Sequence, residues 1–163
     1  MRIRLLPIDS DLQQTFHSPA AFEQQYACTY DDVVTIMDNV ITQLQVLYAQ
    51  APRESRWGGY FAVDEDTRKV VGTCAFTDQP TNDGEIEIAY FTFPPYEGQG
   101  YATAMAVALV DIARRSPQVA TILAHTLPEP NASTRILTKL GMTLRGEAVD
   151  PQAGPVWRWE CGA

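Results

Sequence analysis

The sequence predicts an α/β (α+β) fold, in which a central mixed, mostly antiparallel sheet carries helices on both faces. The main observation is a run of three β-type segments, Tyr60 to Asp64, Val70 to Thr77 and Glu85 to Thr92. Turn-forming residues separate them, at Asp64 to Lys69 and at Asn82 to Gly84, so consecutive strands are expected to pair antiparallel. Segments with helical spacing of apolar residues lie before and after this meander.

The N-terminal part predicts one strand and two helices. Met1 to Ile8 alternates like a strand, and Asp9 and Ser10 after Pro7 supply a helix cap. Beyond Asp31 and Asp32, apolar residues recur at helical spacing from Val33 to Leu47 and stop before Pro52. This second helix is therefore expected to be long and amphipathic.

The C-terminal part predicts two further helices and three strands. A helix with a buried stripe begins directly after Gly98-Gln99-Gly100, and Ile122 to Leu127 follows as a buried strand. Asn131 to Ser133 caps a short helix that Gly141 ends, and the last strands are Thr143 to Val149 and Pro155 to Glu160. The order β, α, α, β, β, β, α, β, α, β, β contains no repeat or long linker, so residues 1–163 are expected to form a single domain.

Composition narrows the classes of function. The net charge of −8 comes from scattered acidic residues, which disfavours a nucleic-acid partner and favours a cationic one. No apolar run approaches the ~20 residues of a membrane span. The odd count of three cysteines, without metal-ligand spacing, predicts neither disulfides nor a metal site and fits a cytoplasmic protein.

The loop before the first C-terminal helix is a candidate anion site. Gly98 and Gly100 let the backbone approach a bound group, and the free N–H groups of a helix start attract phosphate. A P-loop is excluded because no Gly-Lys-Ser/Thr occurs in the chain. A Rossmann fingerprint fits poorly, since Thr103 stands at its third glycine position and the loop follows an antiparallel meander.

Three segments in order resemble the GCN5-related N-acetyltransferase (GNAT) family, in particular its ribosomal-protein alanine acetyltransferase branch. Glu87-Ile88-Ala89-Tyr90 is similar to the family's fourth strand, and Glu97 to Ala102 to its glycine loop. Asn131 to Met142 is similar to its Asn-Ala-Ser, Arg-Ile-Leu, Lys-Leu-Gly segment. The resemblance covers Val70 to Glu160.

The resemblance implies a site for acetyl-CoA, the co-substrate. It implies that the pyrophosphate lies on the loop, that the pantetheine arm pairs with the fourth strand, and that Asn131 reaches the arm from the other side. The backbone N–H of Phe91 is the expected donor to the thioester oxygen. The implied cofactor-binding residues are Phe91, Thr92, Phe93, Gly98, Gln99, Gly100, Tyr101, Ala102, Thr103 and Asn131.

Two positions depart from the family pattern. Glu97 stands where Gln or Arg is usual, which weakens the match without removing the amides on which the loop depends. Leu137 stands where many relatives carry a tyrosine that protonates the departing thiolate, so a tyrosine acid at that position is excluded.

Four side chains are candidates for handling protons, one of them in reserve. An alkyl amine is almost wholly protonated at pH 7, and removing its proton costs roughly 4 to 5 kcal/mol. Glu87 matches the family's fourth-strand carboxylate and is the expected base, with Glu85 on the same strand face in reserve. His125 is a candidate base or relay. Ser133 is a candidate donor to the thiolate, although capping its helix is the simpler role.

The resulting hypothesis is an N-acetyltransferase that transfers acetyl from acetyl-CoA to a primary amine, of a small molecule or a protein N-terminus. Direct attack in a ternary complex is expected, because no cysteine lies in the motif segments to carry the acetyl group. Two alternatives stay open, a non-catalytic acyl-CoA-binding module and a protein-interaction domain that uses the face of Asp31 to Gln50. Neither the acceptor nor the oligomeric state follows from the sequence.

Overall fold

A computed structural model describes all 163 residues, Met1–Ala163. None of its helices combines the length and apolar character that crossing a bilayer requires. In chain order the elements are β1 (Ile3–Pro7), α1 (Ser10–Thr15), α2 (Pro19–Tyr26), α3 (Val34–Gln50), β2 (Gly59–Asp64), β3 (Lys69–Phe76), β4 (Glu85–Thr92), α4 (Tyr101–Arg114), β5 (Thr121–Thr126), α5 (Ala132–Lys139), β6 (Thr143–Asp150) and β7 (Gly154–Gly162).

The strands form one seven-stranded sheet in the order β1-β2-β3-β4-β5-β7-β6. Every neighbouring pair is antiparallel except β4 and β5, which run parallel. The parallel pair arises because the chain crosses over through α4 between these two strands. The predicted mixed, mostly antiparallel sheet is confirmed.

Each face of the sheet carries its own hydrophobic core. One core packs α4 and α5 against the sheet through residues such as Met105, Leu109 and Leu137. The other packs α1, α2 and α3 against β1 to β3 through residues such as Phe22, Met37 and Phe61. Successive residues of β2 alternate between the two cores, so the helices cover both faces as expected.

The N-terminal region contains three helices, where the sequence predicts two. The additional helix, α2, begins with Ser18, whose side chain accepts a hydrogen bond from Ala21 N–H, and with Pro19 in the first turn. Phe22 is the only residue of α2 that is buried. A helix with one apolar anchor leaves no recurring apolar stripe, and this explains why periodicity did not indicate it.

The start of α5 also differs from one expectation. Asn131 is the N-cap, with its side chain accepting from Thr134 N–H, while the Thr134 side chain bonds back to the Asn131 N–H. This reciprocal pair is a capping box. Ser133 lies inside the first turn, so the capping role expected for Ser133 is wrong and its hydroxyl serves no cap.

The parallel strands β4 and β5 separate before they end. Their pairing runs from Glu85 with Thr121 to Glu87 with Leu123, yet β4 continues to Thr92 and β5 to Thr126. The ends of the two strands therefore diverge and leave an opening in the sheet, here called the splay. The loop after β4 leads from the splay to the start of α4.

Candidate active site

A cavity of about 370 Å³ opens beside the splay, between the start of α4 and α5. Its wall combines the end of β4, the glycine loop, the first turn of α4 and two residues of α5. The lining residues are Thr92, Glu97, Gly98, Gly100, Tyr101, Ala102, Thr103, Ala132 and Ile136. Six of the predicted cofactor-binding residues thus line one cavity: Thr92, Gly98, Gly100, Tyr101, Ala102 and Thr103.

The first turn of α4 presents unpaired backbone amides to this cavity. Gly100 is the N-cap at φ 90°, where a residue other than glycine is strained, and no side chain caps the helix. The first bond of the helix runs from Ala104 N–H to the Gly100 carbonyl, so the amides before it have no helical partner. With the positive end of the helix dipole, they form a site suited to a phosphate group.

A buried carboxylate anchors this turn of α4 to the sheet. The Tyr101 hydroxyl donates to Asp64 at the end of β2, and Asp64 also accepts from the backbone amides of Asp66 and Thr67. Burial favours the protonated form of Asp64, but these hydrogen bonds outweigh it and lower the pKa of Asp64. Burial, together with Asp64, raises the pKa of Tyr101 to about 12. The phenol therefore remains a hydrogen-bond donor at neutral pH.

The backbone register of β4 decides which amides face the splay. The Phe93 N–H bonds to Val71 O in β3, and Glu87 O accepts from Thr77 N–H in the same direction. Because strand groups alternate with a period of two, the N–H of Phe91 also points toward β3. The N–H and C=O groups of Tyr90 and Thr92 point toward β5, where no strand pairs with them beyond Glu87.

This register corrects two predictions about the cofactor. The Phe91 N–H is directed into the β3–β4 ladder, so it is not available as the thioester donor, whereas the neighbouring Tyr90 N–H points into the splay. Phe93 is fully buried in the core under α1 to α3 and its N–H is also bonded to β3. Gln99, Phe91 and Asn131 do not line the cavity beside α4.

Glu87 and His125 form a close pair on the opposite face of the sheet from α4 and α5. The Nδ1 atom of His125 lies 2.7 Å from Oε2 of Glu87, and the Thr77 hydroxyl donates to Glu87 Oε1 at 3.1 Å. Both side chains are partly exposed, at 30% for Glu87 and 26% for His125. In the neutral imidazole tautomer that donates Nδ1–H to Glu87, Nε2 carries a lone pair.

Two arginines and two glutamates form an ion-pair cluster beside this pair. Arg158, directly across from His125, donates to Glu85 at 2.7 Å and to Glu160 at 2.9 Å. Arg145 lies 3.4 Å from the other oxygen of Glu160. Glu85, the reserve candidate for the base, is therefore paired with an arginine, whereas Glu87 is paired with His125.

Two hydroxyl groups meet where α5 faces the end of β4. Ser133 is partly buried, and its hydroxyl lies close enough to the Tyr90 phenol to oppose in part the burial that raises the pKa of Tyr90. Leu137, one turn further along α5, is fully buried in the core. Tyr90 was absent from the predicted site. No sequence signal indicated Tyr90, because which residues of β4 present their N–H to the splay follows from the hydrogen bond between Phe93 and Val71.

Sequence comparison assigns a family model to most of the chain. The model described as an acetyltransferase (GNAT) domain matches residues 2–143. This match includes the glycine loop, the Glu87–His125 pair and Ser133. No curated protein matches the chain in a direct sequence search.

Solved structures with the same fold cover nearly the whole chain at low identity. The yncA protein of Salmonella typhimurium, solved with acetyl-CoA, is 19% identical with a TM-score of 0.61, over 99% of this chain and 93% of that chain. The ribosomal-protein-S5-alanine acetyltransferase of Vibrio fischeri is 17% identical with a TM-score of 0.62, over 98% and 91%. Mutant forms of the spermidine/spermine N-acetyltransferase SpeG of Vibrio cholerae are 15% identical with a TM-score of 0.63, over 99% and 93%.

These neighbours act on different amines at nearly equal similarity to this chain. The predicted resemblance to the alanine acetyltransferase branch is therefore one of several equally close relationships. The comparisons support the family and the fold, while the choice of acceptor depends on residues of this chain alone.

Proposed function

Since the chain belongs to the GNAT acetyltransferase family, we propose that it is an acetyl-CoA-dependent N-acetyltransferase acting on a primary amine. The observation that carries the proposal is the arrangement around the splay. A cavity with free helix amides lies on one face of the sheet, and a hydrogen-bonded carboxylate–imidazole pair lies on the other. The splay joins them, so a thioester held from one face can meet an amine approaching from the other.

The cofactor is bound mainly by backbone groups. The amides of Tyr101, Ala102 and Thr103 take the pyrophosphate, and Tyr90 and Thr92 in β4 pair with the pantetheine arm where β5 has separated. Ala132 and Ile136 supply an apolar wall from α5. The charge of Glu97 at the rim opposes the phosphates, which the helix dipole and the amides must outweigh.

The proton of the amine passes to the Glu87–His125 pair. Glu87 accepts the Nδ1–H of His125, so Nε2 of His125 takes the proton as the amine nitrogen attacks. Because Thr77 already donates to the other oxygen of Glu87, the carboxylate is fixed in this orientation. The two residues act together as the base: His125 takes the proton, and Glu87 stabilises the protonated imidazole.

The thioester is polarised and its sulfur released by groups beside Tyr90. The Tyr90 N–H donates to the thioester oxygen as negative charge develops there, which is the role of an oxyanion hole. Ser133 donates its hydroxyl hydrogen toward the departing thiolate. Burial raises the pKa of Tyr90, an effect that the Ser133 hydroxyl partly opposes, so the phenol remains protonated beside Ser133.

The test is a coupled measurement of binding and turnover. Isothermal titration with acetyl-CoA is expected to give a stoichiometric complex, and release of free thiol is expected only when a primary amine is added. Mass spectrometry of the amine should show the gain of one acetyl group. Binding without amine-dependent thiol release would support a non-catalytic acyl-CoA module, and absence of binding would support an interaction domain.

A further inference from the structure

A shallow apolar depression adjoins the Glu87–His125 pair on the acceptor face of the sheet. It has a volume of about 150 Å³ and is formed where β3 and β4 pair. The side chains that face it are Thr73, Ala75, Ala89 and Phe91, because these positions alternate with residues of the opposite core. We call it the alanine depression.

The strand register places the depression next to the base. Ala89 follows Glu87 by two residues on the same face of β4, and Ala75 lies directly across from Ala89 on β3. Neighbouring positions on one face of a strand are about 7 Å apart. A group attached to an amine at the Glu87–His125 pair therefore reaches the depression within a few bonds.

The side-chain groups that line the depression are apolar. The Thr73 hydroxyl donates to the Tyr60 carbonyl at 2.9 Å, so Thr73 is left to present its methyl group. Two alanines form the floor, and Phe91, which is 48% exposed, forms one side. An exposed aromatic ring beside small apolar side chains gains stability when an apolar ligand covers it.

The charged pairs on this face limit two other classes of acceptor. Arg158 is held by Glu85 and Glu160, so it is not free to bind the carboxylate of an amino acid, and neither glutamate is free to bind a second ammonium group. Asp150 accepts from the amides of Gln152 and Ala153 in its own turn, and these amides, together with the nearby His125, lower the pKa of Asp150. Because no arginine or lysine pairs with Asp150, it is the carboxylate that a polycation would use, and spermidine is therefore included in the test.

We infer that the alanine depression is the acceptor subsite, and that the acceptor is a small monoamine with a short apolar substituent. This inference rests on the proposed function and narrows its substrate class. The amine nitrogen lies at the Glu87–His125 pair, the substituent covers Ala75 and Ala89, and Phe91 packs against its side.

The test compares primary amines that differ in the group attached to the nitrogen: a branched apolar chain, a methyl group, a chain with further amino groups, and a chain with a carboxylate. Thiol release from acetyl-CoA is measured with isopentylamine, methylamine, spermidine and leucine. We expect kcat/KM for isopentylamine to exceed that for each of the others by about 10-fold or more, the range for burying several methylene groups in an apolar pocket.

A variant that fills the alanine depression tests whether the preference for isopentylamine arises there. Ala89→Leu occupies the depression and is expected to lower kcat/KM for isopentylamine by about 10-fold or more, with little change for methylamine. Ala21→Leu makes the same change on the exposed surface of α2 and should alter neither value. Titration of both variants with acetyl-CoA checks that the fold and the cofactor site are intact.

Failure of the acceptor subsite and failure of the proposed function give different results. Preference for spermidine or leucine, or an equal loss for both monoamines in Ala89→Leu, overturns the acceptor subsite and leaves the transferase intact. No thiol release with any of the four amines, despite binding of acetyl-CoA, overturns the acceptor subsite, and the proposed function is overturned as well when a peptide with a free N-terminus also gives no thiol release.

Discussion

The two sides of the splay are built in different ways. On the cofactor side, five residues within the short segment from Gly98 to Thr103 line the candidate anion site, and their contribution comes from the backbone. On the acceptor side, Glu87 comes from β4, His125 from β5 and Ala75 from β3, and the side chains determine the chemistry. A contiguous backbone site can thus keep one co-substrate throughout a family, while a site assembled from separate strands can change its acceptor by single substitutions.

The largest expected effect comes from removing the base on the acceptor side without changing its shape. Glu87→Gln is expected to lower kcat by about 10²-fold or more with acetyl-CoA affinity unchanged, because the amide cannot stabilise a protonated His125. Raising the pH should partly restore the rate, since the amine then loses its proton to solvent. A pH and rate profile of mutant and wild type measures both effects.

Controls for this prediction test whether the pair acts as a unit. His125→Gln should show a similar loss, and the double variant should be no worse than either single one. Glu147→Gln, an exposed carboxylate on β6, serves as the matched control. Additive losses in the double variant would show that Glu87 and His125 act separately.

On the cofactor side the largest effect is expected from Gly100→Asp. A side chain at φ 90° is strained, and its charge stands where the pyrophosphate lies. Wild-type protein at a CoA concentration of about 100 times Kd gains about 2.7 kcal/mol of stability, and the variant should lose this gain.

Thermal unfolding with and without CoA measures that loss. Gly154→Asp, at φ 77° in a turn with open space around it, imposes comparable backbone strain far from the cofactor. It should lower the melting temperature while keeping the shift that CoA produces. If Gly100→Asp retains a normal shift, the anion site does not lie on this turn.

A smaller effect is expected where the two sides meet. Tyr90→Phe keeps the ring in the core but removes the phenol beside Ser133, and we expect kcat to fall about 10-fold with the KM for acetyl-CoA unchanged. Ser133→Ala should give a similar loss that Tyr90→Phe does not increase, whereas Ser133→Thr should restore activity. Tyr60→Phe, whose hydroxyl donates to Arg56 O, is the matched control. Multiplicative losses would show that the two hydroxyls act independently.

The smallest expected effect is tighter binding of CoA on the cofactor side. Glu97 lines the cavity as an exposed carboxylate, and it opposes the phosphates through solvent. Glu97→Gln is expected to tighten CoA binding by a few-fold at low salt, with the gain shrinking as ionic strength rises. Titration at two salt concentrations provides the measurement, and a variant that binds more weakly would show that Glu97 makes a favourable contact.

Local sequence patterns were sufficient to predict the class of fold and the glycine loop, whereas Glu87 and His125 became candidates through the resemblance to the family. The fold class and the loop follow from short-range physics, since strand alternation, helix periodicity and the conformational freedom of glycine act over a few neighbouring residues. The short helix α2 was not predicted, because it has only one buried apolar residue, Phe22.

The assembly of the site depends instead on contacts between distant parts of the chain. Whether Phe91 or Tyr90 offers its N–H to the splay depends on which neighbour β4 pairs with, and a shift of one residue reverses the answer. Likewise, the pairing of Glu87 with His125 and the neutralisation of Glu85 by Arg158 join residues that are far apart in the chain. Local patterns carry no information on such contacts, because they arise from the order of strands in the sheet.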